Sequence, residues 1–177
     1  PRPSVSIALP LSVGVESSCE LLDFELEDQN VSNDELLERL NKCLVSGIKV
    51  LDVYEQGKKI KELDLLRCVV AMEYDRGVPE NAIDRLQNLF GRNELLVTRK
   101  SKNGMQEQDI IPMIRSISFV DTDAHHIEAE AVICCQNPSL NPMQIPAAIK
   151  TYLPEIEPDH SICRRVEIFT ADQKVFR

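Results

Sequence analysis

Between residues 65 and 170 the chain alternates strand-length apolar runs with helix-length amphipathic segments in one order: strand, helix, hairpin, strand, strand, helix, strand. Residues 65–74 are apolar and long enough to lie centrally in a sheet. Pro79 then opens a helix whose Ala82, Ile83, Leu86, Leu89 and Phe90 recur at helical spacing, with Gly91 beyond it. Residues 95–99 and 106–110 flank a turn in which Asn103-Gly104 favours tight strand reversal. Residues 114–120 and 127–135 form a second strand pair across a polar turn at 121–126. Pro146 would remove a hydrogen bond inside a helix, so the last helix is placed over 147–153, with Pro154 ending it. A strand at 165–170 closes the order, which is that of a ferredoxin-like split βαβ unit carrying an inserted hairpin.

Upstream, residues 5–13 are apolar and β-prone, interrupted by Pro10. Residues 19–27 alternate, with Leu22, Phe24 and Leu26 on one side and Asp23, Glu25 and Glu27 on the other. Two strands joined by a 14–18 loop are expected. Ser32 and Glu35 have the spacing of a capping box, with Val31 stapled onto Leu36. Leu36, Leu37, Leu40, Cys43 and Leu44 then follow at helical spacing, and Gly47 suits a left-handed stop. Residues 48–54 read as a strand. The polar stretch that follows, with Gly57 and three lysines, marks a boundary.

These patterns predict an α+β chain of two tandem ferredoxin-like (split βαβ) units. A partial unit at 1–56 lacks its opening strand and helix, 57–62 is a linker, and 63–177 is the second unit. In such a fold the opening strand lies centrally between the third and fourth. Without it, strand edges stay unpaired and the helix face of Leu36, Leu40 and Leu44 stays uncovered. The first unit is expected to be marginal.

Among 177 residues, 43% hydrophobic, no apolar run approaches the roughly 20 residues of a membrane span, so a cytoplasmic location is expected. Six cysteines show no disulfide-framework spacing and fall in apolar patterns, where thiols act as small hydrophobes. A net charge of −9 argues against an extended nucleic-acid surface.

Neither GxGxxG nor GxxxxGK[ST] occurs, and no close cysteine triplet could hold a radical SAM cluster. His125, His126, Cys134, Cys135, His160 and Cys163 bear metal-ligating groups. Adjacent Cys134 and Cys135 point to opposite sides of a strand, however, and the spacings match no zinc pattern, so no metal site is assigned. Cys163 with His160 lacks the marks of an activated nucleophile. Two polar groups remain. Glu16, Glu20 and Asp23 could bind a cation or a basic partner group, or serve acid–base chemistry, and Glu16 and Ser17 sit in a loop with Gly14, where function often collects; the alternative is that Asp23 is the solvent side of a strand and Glu16 supports its loop. Arg99, Lys100 and Lys102 sit on a hairpin that could meet a nucleic-acid backbone or simply be solvated, and aromatic stacking partners are scarce.

The segment PRPSVSIALPLSVGVESSCELLDFEL, residues 1–26, resembles a bacterial family of radical-SAM-associated proteins, which occur as separate chains or fused behind a radical SAM enzyme. The basic hairpin beginning at Arg99, followed by Asp109 and Pro112, is similar to a second stretch of that family. There a basic strand and helix precede the first segment, so the resemblance implies a truncated chain. It further implies an accessory substrate- or partner-binding role beside a radical SAM protein, separate or fused upstream, that carries the iron–sulfur cluster and SAM. This chain itself would hold no cofactor. Arg2, Glu16, Ser17, Glu20, Asp23, Arg99, Lys100, Lys102 and Asp109 are the candidate contacts, and no catalytic residues carry over. RNA or ribosome modification follows by fold-level analogy; the competing expectation is a stand-alone RNA-modifying or RNA-processing enzyme.

Overall fold

The computed structural model of the chain describes residues 4–27, 30–55, 57–101 and 104–177. Strands β1 (Val5–Ile7) and β3 (Leu22–Phe24) form a small antiparallel ladder of their own. Between them in sequence lies β2 (Val15–Ser17), which belongs to a different sheet. Helix α1 (Asn33–Cys43) follows, and then β4 (Leu63–Glu73) and α2 (Ala82–Phe90). The hairpin β5 (Leu96–Ser101) and β6 (Gly104–Asp109) leads to β7 (Ile114–Asp123), β8 (His126–Cys134), α3 (Gln144–Tyr152) and β9 (His160–Thr170). The main sheet has the order β2-β9-β4-β8-β7. Its last four strands are antiparallel neighbours, and β2 is parallel to β9. The fold is thus α+β.

The pleat of β4 sets the core. Leu66, Cys68, Val70 and Met72 are buried on one face, and Arg67, Val69 and Ala71 are half-buried on the other. In β8 the inward positions are Ile127, Ala129, Ala131 and Ile133. The two alanines leave room for helices to approach. From α2, Leu86, Leu89 and Phe90 enter this layer, with the Phe90 and Phe119 rings 5.3 Å apart; from α3 come Ile145, Ala148 and Ile149. All belong to one continuous cluster. The reverse face of the sheet carries Glu128, Glu130, Ser118 and Arg164, as period-two alternation requires when one face meets water.

The second half follows its sequence pattern in the order of its elements, but β9 starts at His160, five residues before the expected 165, and α3 also starts early. Helix α3 begins at Gln144 rather than near Pro146. Pro146 falls in the first turn, where its missing N–H has no intrahelical partner to lose. The Gln144 and Ile145 amides donate to Asn141 and Pro142 carbonyls, and the Met143 amide to the Asn141 carboxamide.

The first half departs further. Ser32 caps α1 as expected, its Oγ accepting from the Glu35 amide at 3.2 Å, but the helix ends at Cys43, short of Gly47. The expected strand at 48–54 does not form. Instead the Asn41 carboxamide donates to the Val50 carbonyl at 3.0 Å and accepts from the Val50 amide at 2.8 Å, taking both groups that a ladder would use. The expected 14–18 loop is itself β2. Gly14, at a φ of 84°, turns the chain into it, and the Ser18 amide donates to the Arg165 carbonyl. The expected strand, strand, helix, strand set within 1–56 is therefore corrected: its middle segment becomes the fifth strand of the downstream sheet.

Burial separates the two parts of the chain. Val5, Ile7, Val13, Val45, Ile48 and Leu51 are each more than half exposed, and α1 contains no buried residue. Ile133→Ala should therefore cost about 2–5 kcal/mol in urea unfolding, whereas Leu51→Ala should stay within about 0.5 kcal/mol. Equal effects would contradict this division of the core.

Candidate functional site

β9 turns Cys163 and Arg165 inward, beside β4 on one side and β2 on the other. Arg165 stands opposite Cys68 in one register and Ser17 in the other. Its side chain is only 8% exposed, so its charge needs compensation within the protein. Glu20 supplies it. Arg165 Nη1 donates to both Glu20 oxygens, at 2.7 and 2.9 Å, and to the Leu9 carbonyl at 2.7 Å. Ser17 Oγ donates to Glu20 Oε1 and accepts from the Cys19 amide at 3.2 Å, fixing the turn that aims the carboxylate.

Thiols surround this ion pair. Burial pushes the Cys19 thiol up to about 11 and the Cys135 thiol up to about 12. Cys68 and Cys163 share a hydrogen bond that lowers Cys163 and, together with burial, raises Cys68. The Arg165 charge favours the thiolate form of all four. Cys163 and Cys135 line a cleft of about 210 Å³ with Arg165, Pro10, Ser12 and Ser139. A second cleft, about 260 Å³, lies between α3 and residues 157–161, but its Lys150 is already paired with Glu157 and its Asp159 accepts from the Asp75 amide. Among the described residues no three His, Cys, Asp or Glu side chains are arranged to hold a metal ion.

Of the residues singled out from sequence, the structure joins Ser17 and Glu20 to one centre. Glu16 is exposed on β2, opposite Arg164, and Asp23 is exposed on β3, opposite Ser6. Arg99 is exposed on β5, where Lys100 follows it, and Tyr152 ties that hairpin to α3 by donating to the Leu96 carbonyl. Asp109 closes the hairpin base, its Oδ1 accepting from the Leu95 and Ile111 amides. Arg2 and Lys102 lie outside the described residues. His160 is exposed while Cys163 is fully buried, so they form no dyad. Sequence reasoning missed Arg165, although its alternation with Cys163 on the closing strand placed a cation on the inward side.

The family described as "uncharacterized protein conserved in bacteria" (DUF2344) matches residues 1–142. The chain belongs to this family. The DUF2344 match includes Ser17, Glu20 and the Leu9–Val15 wall of the cleft, whereas Cys163 and Arg165 come from β9, beyond it. No curated protein and no solved structure matches the chain. None of the helices among the described residues is long and apolar enough to cross a membrane.

The two members of the ion pair are unequal. Glu20 is 37% exposed and can return to water, whereas Arg165 cannot. Glu20→Gln should destabilise by the lower part of about 1–3 kcal/mol, and Arg165→Met should cost less. The reverse order in urea unfolding would contradict this account. Cys43 is the exposed thiol. Ellman's reagent should accordingly titrate one equivalent rapidly in the native protein and all six in denaturant.

Proposed function

We propose that this chain is an accessory partner-binding module that works beside a radical SAM enzyme. One observation carries the reading: residues 4–55 hold large apolar side chains that the rest of the chain does not cover. Large apolar side chains left exposed along one stretch of chain are candidates for covering by a partner. Val13, Val45, Ile48 and Leu51 are its most exposed members. The same stretch exposes Glu16, Asp23, Glu25, Asp52 and Glu55, so the complementary surface is apolar with a basic rim.

The resemblance of residues 1–26 to radical-SAM-associated proteins supplies the class of partner. The order β9-β4-β8-β7 with two helical crossovers supports reading residues 63–177 as a ferredoxin-like unit. On that reading this unit is the rigid base and the upstream segment is the docking surface. RNA or ribosome modification as the joint task rests on fold-level analogy and on the exposed Arg99 hairpin.

The intact protein should co-purify with the radical SAM enzyme of the same cell. Val45→Asp and Leu51→Asp should each weaken that complex about tenfold or more. Their melting temperatures should stay near that of the parent, because both side chains already face solvent. The absence of any complex with the intact protein would overturn the proposal.

A further inference from the structure

Arg165 uses only part of its guanidinium. All three of its hydrogen bonds leave from Nη1, while Nε is buried with no partner and Nη2 makes no hydrogen bond among the described residues. Nε and Nη2 together form the edge of a guanidinium that grips a planar carboxylate with two parallel hydrogen bonds. Buried donors are rarely left unmade without a reason. The side chain that carries this one lines the 210 Å³ cleft.

The cleft has the other parts of a small binding site. Ser12 and Ser139 line it, and their hydroxyls make no hydrogen bond within the described protein; Leu9, Pro10, Leu140 and Pro142 supply apolar wall. Its volume is about seven times the share of one water in the liquid, room for a carboxylate with a short alkyl tail. Charge narrows the choice. Arg165 is the one charged residue of the lining and already shares its charge with Glu20, so its free edge can serve a single carboxylate, whereas the second charge of a dianion such as phosphate would find no further cation.

We propose that this cleft binds a small monocarboxylate, held two-pronged by Nε and Nη2 of Arg165 once the wall that now buries Nε shifts to admit it. The ligand is either a free short-chain acid or the carboxylate at the end of a peptide chain. The inference does not depend on the partner-docking reading, which uses other side chains.

The test follows the Arg165 Nε–Hε resonance of the full ¹⁵N-labelled chain during titration with sodium butyrate, against sodium chloride at equal ionic strength. The expected result is a saturable shift with butyrate and none with chloride, and butyramide at least about tenfold weaker. Failure to saturate, equal binding of butyramide, or tighter binding of inorganic phosphate would each overturn the proposal. A short peptide with a free C-terminus, compared with its amidated form, separates the sources. Tighter binding than butyrate with loss on amidation supports a chain terminus, and weaker binding supports a free acid. Arg165→Lys keeps the charge but loses the fork and the reporter with it; followed instead through the Ser139 and Leu140 backbone amides of the cleft wall, it should abolish saturation. Should that variant not fold, Ser12→Trp, at the exposed wall of the cleft, leaves the ion pair intact. Unchanged butyrate affinity in Ser12→Trp would overturn the assignment to this cleft.

Discussion

β4 is hydrogen-bonded along both edges, to β8 on one side and β9 on the other, and the remaining structure is arranged by that double pairing. A strand flanked on both edges has no freedom of register without breaking two ladders. The single-residue parity that buries Cys68, Val70 and Met72 therefore also dictates which side chains of β8 and β9 face inward. Arg165 is inward because it stands opposite Cys68, not because a cation favours that place. The register irregularity between Arg67 and Cys68 adjusts this alignment where the ion pair sits. A polar centre inside an otherwise apolar layer thus follows from strand pairing, and Ser17, Glu20 and the Leu9 carbonyl are the means by which the upstream chain neutralises it.

Seen from that centre, the upstream segment has two kinds of surface. One side is pinned to β9 through three β2 residues and the Glu20 carboxylate. The rest of it leaves valine, isoleucine, leucine and several acidic residues exposed to solvent. Ordering such a segment through few contacts is entropically expensive relative to what it buries. That imbalance is resolved if further apolar surface is covered when a partner docks, which is the physical basis of the proposed role.

Legibility from sequence followed burial. Elements whose apolar periodicity coincides with a real core were readable: residues 65–74 as a strand, Ala82 to Phe90 as a helix, and both downstream strand pairs. The helix cap at Ser32 was readable because capping is local chemistry. The 48–54 strand was misread because apolar content there reflects an exposed surface, and the competing Asn41 clamp spans nine residues that no periodicity reveals. The 14–18 strand was missed because its partner lies at the other end of the chain. In the site, Glu20 was recognisable within the acidic group of Glu16, Glu20 and Asp23, and Ser17 as a loop residue beside it, but the cation that gives them a purpose was invisible without the β4 to β9 register. Asp109 stood out as a family feature, and its carboxylate is engaged in closing the hairpin.

The Glu20 to Arg165 pairing joins residues 145 apart in the chain. On a ribosome adding about 5–20 residues per second, Arg165 follows Glu20 by on the order of ten seconds. During that interval Glu20 has no countercharge, β2 has no strand to lie beside, and β4 lacks one of its two neighbours. The cleft consequently comes into being only once β9 has been made, and a nascent chain stalled before β9 would possess the exposed apolar segment but none of the pocket.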